Sequence, residues 1–204
     1  NKHVEYTFDA VNLLAEFSPA SETVSGTDLM LVAHYDSRYS QPMPRDTVWS
    51  YGAADDGYGI GVILETVSLA LKNRTEWKQG IKVLFTDAEE PGMKGMKAIW
   101  ENNREVFDNV GLVLNVEARG TWGPALLFEA CPGNAKVQEL YAYTAEYPFT
   151  YSLTTVVYKF LPMFTDFTIV KDELPGLNFS NIADVNHYHT DLDNFSNISE
   201  KTIQ

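Results

Sequence analysis

The chain alternates short apolar runs with polar, turn-rich stretches, and the spacing of those runs predicts its elements. Residues 11–17 and 29–33 are apolar runs separated by the polar segment 18–28, and together they predict a hairpin. Residues 37–54 hold Pro42, Pro44 and Gly52 and predict a loop. Within 58–73, Ile60, Ile63, Leu64, Val67 and Leu71 recur at helical spacing and define one apolar face. Residues 81–85 predict a buried strand, 96–103 a helix, and 111–116 and 125–128 two further strands. Residues 134–147 predict a helix with Asn134 as its N-cap. A last core strand is predicted at 177–179, after the turn at Pro175 and Gly176.

This strand–helix alternation predicts an α/β domain whose central sheet is largely parallel and covered by helices. In such sheets ligands bind beyond the carboxyl ends of the strands. The polar residues that follow each apolar run are therefore where chemistry is expected.

Composition narrows the classes. With 45% hydrophobic and 21% charged residues the chain is globular rather than disordered. Its 15 Lys and Arg against 28 Asp and Glu give a net charge of −13, which repels phosphate backbones and argues against a nucleic-acid partner. Cys131 is the only cysteine, so there is no intrachain disulfide and no cysteine-based zinc or redox motif. No apolar run approaches the ~20 residues of a membrane-spanning helix, and the first residues lack a signal-peptide pattern.

The positions after the apolar runs are rich in ligand types. His34-Tyr35-Asp36-Ser37 follows residues 29–33, and Gly52-Ala53-Ala54-Asp55-Asp56-Gly57 precedes the long helix. Asp87-Ala88-Glu89-Glu90 follows 81–85, Glu117-Ala118-Arg119-Gly120 follows 111–116, and His187-Tyr188-His189-Thr190-Asp191 follows the last strand. Singly, each has an ordinary structural explanation: paired aspartates oppose a helix dipole, and a lone strand-end histidine is commonly a satisfied core residue. Together they supply imidazoles and carboxylates suited to zinc-like divalent metals. There are more carboxylates than one zinc needs, which points to a metal pair sharing a bridging carboxylate and a water. In Glu89-Glu90, one carboxylate can then ligate while its neighbour serves as general base.

These segments resemble the zinc aminopeptidase family of co-catalytic metal exopeptidases, which includes secreted bacterial aminopeptidases, glutamate carboxypeptidases, vacuolar and endoplasmic-reticulum membrane proteases, and glutaminyl cyclases. The resemblance runs from about residue 11 to the end and is carried by HYDS at 34–37, GAADDG at 52–57, DAEE at 87–90, NVEARG at 115–120 and YHTDLDN at 188–194. The stretches at 123–134 and 164–182 look most like bacterial relatives of the vacuolar membrane proteases. The resemblance implies a three-layer α/β sandwich with a mixed, largely parallel sheet, and two zinc ions. His34, Asp55 and Glu117 would hold one ion, and Asp55, Glu90 and His189 the other. Asp36 would orient His34, and Glu89 would be the general base. The Asp55–Asp56 peptide is expected to be cis. Asp166, Arg119 and Tyr188 fall in segments expected to contact a peptide substrate, and His187 is expected to face solvent.

Two rivals share the fold: a one-zinc glutaminyl cyclase, which tends to have Ser where Asp56 stands, and a binding protein that has lost its metal ligands. The resemblance further implies a single catalytic domain at 1–204 cut at both ends from a larger protein. That protein is expected to be exported or membrane-attached through other segments and to face away from the cytoplasm. Sequons at Asn73, Asn178, Asn194 and Asn197 would matter in a eukaryotic secretory pathway.

Overall fold

The computed structural model describes residues 9–20, 25–38, 41–42, 47–154 and 164–203. The strands are β1 (Leu13–Phe17), β2 (Asp28–His34), β3 (Gln41–Pro42), β4 (Thr47–Val48), β5 (Ile81–Thr86), β6 (Val110–Ala118), β7 (Leu126–Ala130) and β8 (Gly176–Asn181). Among the described residues, three longer helices are α1 (Gly57–Leu71), α2 (Lys94–Asn102) and α3 (Ala135–Thr144). Six strands form one mixed sheet in the order β1-β5-β2-β6-β8-β7. The inner pairs β5–β2, β2–β6 and β6–β8 are parallel, and both edge strands are antiparallel to their neighbours.

The hairpin expected from residues 11–17 and 29–33 does not form. Both strands pair with β5 instead: Leu13 lies opposite Phe85 in an antiparallel register, and Leu29 lies beside Ile81 in a parallel one. The reason lies in the composition of β2. Its run Leu29–Ala33 is apolar on both faces, which suits a central strand covered on each side by helices and not an exposed hairpin arm. Along β2, Met30 and Val32 enter one core with Leu84, Met96, Ile99, Phe107 and Phe167, while Leu31 and Ala33 enter the other with Ile63, Val67 and Val83. The period of two thus builds the three layers. Met30, Leu84 and Phe167 are fully buried, each contributing about 1.5–3 kcal/mol through burial.

Helix α1 lies on the second face and buries Ile63 and Val67. Leu64, at the margin of its apolar stripe, is 57% exposed. Helix α2 starts two residues earlier than expected and covers the first face with the helical turn Phe167–Val170. Asn134 precedes α3, but its side chain makes no capping bond, and the helix ends at Thr144 rather than at residue 147. The expected loop at 37–54 contains the short β3–β4 pair. Because β5, β2, β6 and β8 run parallel, Thr86, His34, Ala118 and Asn181 all end at one edge of the sheet.

Candidate metal centre

The buried His34 closes β2 with its Nδ1 2.9 Å from the Asp36 carbonyl oxygen. That carbonyl can only accept, so Nδ1 carries the proton and Nε2 presents its lone pair. Nε2 lies 3.2 Å from Asp55 Oδ1 and 3.9 Å from Glu117 Oε2. The second Asp55 oxygen faces His189: Oδ2 is 3.2 Å from its Nε2, which is also 3.1 Å from Glu90 Oε2. Two triads therefore share Asp55, namely His34–Asp55–Glu117 and Asp55–Glu90–His189, and within each the offered ligand atoms lie within 4.8 Å of one another.

Adjacent aspartates divide the work at the start of α1. The Asp55–Asp56 peptide is cis. The Asp56 carboxylate turns away from the triads and accepts from Gly59 N at 3.0 Å and His34 N at 3.3 Å, which caps the helix. The Asp55 backbone is held from outside, because the Asp193 carboxylate accepts from Ala54 N at 2.6 Å and Asp55 N at 3.2 Å.

The turn after β5 carries Glu89 and Glu90. Asp36 Oδ1 accepts from Glu89 N at 3.0 Å and Asp36 Oδ2 from Glu90 N at 3.2 Å. From the other side Asn12 accepts from Asp87 N at 3.0 Å and donates to Gly95 O at 2.9 Å. Gly95 is required at that position, since a Cβ there would sit 2.2 Å from Asp87 O. Ala88 and His189 hold φ of 53° and 60°, sparsely populated values for residues with a side chain. A cleft of about 480 Å³ opens beside this turn, walled by Asp36, Arg38, Asp87 and Glu90.

The electrostatics are those of a cluster of acids around two imidazoles. Burial lowers the pKa of His34, but hydrogen bonds and charges from Asp36, Asp55 and Glu117 outweigh it and raise it well above the ordinary histidine range. His189 is raised in the same way by Asp55 and Glu90. For Asp55, burial is overcome by both histidines and the pKa is lowered. Glu117 is pushed up to about 7 by burial, with His34 and Arg119 opposing. Glu89 is pushed up to about 9 by burial and by Glu117, Asp166 and Glu90, with His34 opposing. Two polar atoms at the centre, His189 Nε2 and Glu90 Oε1, are buried without a well-aligned hydrogen bond. Imidazole nitrogens and carboxylate oxygens converging in this way suit a divalent cation, which would reverse the upward shifts of the carboxylates.

The remaining expected residues flank this centre. Asp166 is buried, accepts a short bond from Thr86 Oγ1, and is pushed up to about 6 by burial. The Arg119 guanidinium sits 4.9 Å above the Tyr188 ring and donates to its hydroxyl; Tyr188 stacks on His189 with ring centroids 3.5 Å apart. His187 is half-buried, not solvent-facing, because its Nδ1 pairs with Thr121 Oγ1 at 2.7 Å. Sequence reasoning missed the role of Asp193, although the residue lies within the YHTDLDN segment at 188–194. It also missed Asn115, which stands out as a polar residue inside an apolar strand, two before Glu117 and on the same face. Asn178, within one of the four sequons, is fully buried in β8 and closed to modification in the folded domain.

The layered fold and the shared-carboxylate site define a metallopeptidase-like α/β domain, and the comparisons agree. The chain belongs to peptidase family M28, whose model matches residues 12–204. It is 29% identical over 212 residues to the vacuolar membrane protease of Candida tropicalis, a match that covers 100% of this chain and 21% of that protein. Among solved structures, the zinc aminopeptidase BSAP from Bacillus subtilis aligns with a TM-score of 0.71 at 19% identity, over 95% of this chain and 46% of that one. Porphyromonas gingivalis glutaminyl cyclase aligns at 0.68 and 20% identity, over 94% and 72%. The chain spans about a fifth of the length of the curated relatives it matches.

Proposed function

We propose that this chain is a zinc-dependent exopeptidase domain of aminopeptidase type. The observation that carries the reading is the sharing of Asp55, one oxygen toward His34 and the other toward His189. His34, Asp55 and Glu117 would hold one zinc, and Asp55, Glu90 and His189 the second. When bound, such a pair supplies an acidified water and polarises a carbonyl. The chain's own residues do the rest. Asp36 fixes the turn bearing Glu89 through two backbone amides. Glu89, free of ligation, takes the proton of the attacking water and returns it to the leaving amine. Arg119 and Tyr188 would line the approach and orient a peptide whose ammonium end the surrounding carboxylates favour; Asp166, buried against Thr86, lies behind that surface. The likeness to a vacuolar membrane protease supports a domain carried by a membrane-attached protein and facing away from the cytoplasm. Among the described residues no helix is long and apolar enough to cross a membrane.

The test is zinc analysis of the purified chain beside hydrolysis of a panel of unblocked aminoacyl substrates. Two zinc ions and release of N-terminal residues are expected. One zinc with cyclisation of N-terminal glutamine would favour the cyclase reading, and absence of zinc and turnover would favour a binding domain.

A further inference from the structure

A row of fully buried polar side chains crosses the sheet beneath the proposed first metal position. Asn115 on β6 is the register partner of Asn178 on β8, and Asn178 in turn faces Glu129 on β7. Asn115 Nδ2 donates to Glu117 Oε1 at 3.2 Å and to Asn178 Oδ1 at 2.9 Å. Asn178 Nδ2 donates to Glu129 Oε2 at 3.2 Å and to Thr165 Oγ1 at 2.8 Å. Glu129 Oε1 accepts from Lys171 Nζ at 2.5 Å. Asn115 and Asn178 are 1% and 0% exposed, and Glu129 is 7% exposed.

The direction of this row is forced. A carboxylate paired with a lysine only accepts, so Glu129 requires the Asn178 amide nitrogen to face it. The Asn178 carbonyl then faces Asn115, which must turn its own nitrogen inward. That same nitrogen meets Glu117 Oε1. Reversing Asn115 would put its oxygen against two other oxygens. The orientation is held even though Asn115 Oδ1 is left buried with no hydrogen bond among the described residues, which carries an uncompensated desolvation cost. One Glu117 oxygen is thereby occupied, and the other, Oε2, is the oxygen turned toward His34.

We infer that Asn115, Asn178, Glu129 and Lys171 form a directional ladder that fixes Glu117 as a one-oxygen ligand, with Asn115 and Asn178 as positioning residues. This rests on the proposed metal reading. A residue three hydrogen bonds from Glu117 therefore sets how strongly the first ion is held. Glu129→Gln keeps the size of the side chain but offers both a donor and an acceptor, so it no longer dictates which way Asn178 faces. Asn115→Leu removes the donor to Glu117 directly.

The experiment is a zinc titration against a chromophoric chelator for the parent chain, Asn115→Leu, Glu129→Gln and the double variant, each checked for native circular dichroism. Loss of a partner that orients a ligand typically weakens metal binding about 10–100-fold. Each single variant is expected to lose that much at one of two ions, and the double variant no more than the worse single, because the residues act in series. Parental affinity in folded Glu129→Gln, or losses that multiply in the double variant, would overturn the ladder. Nuclear magnetic resonance on the zinc-free chain separates this inference from the metal reading and needs no folded variant. A scalar coupling through the hydrogen bond from the Asn115 amide nitrogen to the Glu117 carboxyl carbon is expected, and its absence overturns the ladder. If the parent takes up no zinc, the metal reading fails and this coupling alone decides.

Discussion

Asp36 and Glu89 are joined by a hydrogen bond from the Glu89 backbone amide to Asp36 Oδ1 at 3.0 Å, while the other Asp36 oxygen takes the Glu90 amide at 3.2 Å. The carboxylate that stands 3.5 Å from His34 Nδ1 thus also holds the turn that carries the proposed base and a proposed ligand. The imidazole itself is oriented more closely by the Asp36 carbonyl, at 2.9 Å.

This double role makes Asp36→Asn informative. An asparagine keeps one acceptor oxygen but turns an NH₂ group toward the second amide, so the Glu89–Glu90 turn loosens. Zinc affinity is expected to fall about 10–100-fold, with kcat falling alongside it. Chelator competition and steady-state kinetics measure both. Unchanged values would mean that the turn is held without Asp36.

Asp193 offers a stability test at the other side of the site. Its carboxylate satisfies the buried amides of Ala54 and Asp55, and Asp193→Ala leaves both without an acceptor. Each unsatisfied buried amide costs about 1–3 kcal/mol. Urea unfolding of the metal-free variant is expected to show a loss of several kcal/mol, beyond the ±0.5 kcal/mol of an ordinary surface change.

Asp166 predicts a pH dependence. Burial lifts it from an ordinary 3.8 to about 6 in the folded state. Between those values the folded chain binds more protons than the unfolded one, so stability falls as pH rises. The contribution is full below about pH 4 and lost as pH passes through 6, amounting to about 3 kcal/mol. In chelator-treated protein, Asp166→Asn should flatten the stability profile between pH 4 and 6. A slope equal to the parent's would remove Asp166 as its source.

Much of this architecture was legible in the chain. The 3.6-residue spacing of Ile60, Ile63, Val67 and Leu71 located α1, and the positions of His34, Glu90 and Glu117 after apolar runs marked side chains that the fold brings together at the candidate site. Strand pairing was not legible: whether residues 29–33 pair with residues 11–17 or with 81–86 depends on which long-range contacts bury both faces of β2, and local pattern carries no such information. The outer supports were hidden for a related reason. Asp193 lies 138 residues from the Asp55 amide it holds, and its place in the YHTDLDN segment does not say which backbone it reaches. Asn115 and Asn178 acquire their meaning only once β6 and β8 are placed side by side.

The central claim is that Glu89 moves the proton while its neighbour Glu90 ligates. Glu89→Gln retains shape and volume but removes the base. The measurement is peptide turnover together with zinc content for this variant beside the parent. The account predicts full zinc in both and a fall in kcat of about 10²–10⁴ in the variant. Parental turnover in the fully zinc-loaded Glu89→Gln variant would contradict it.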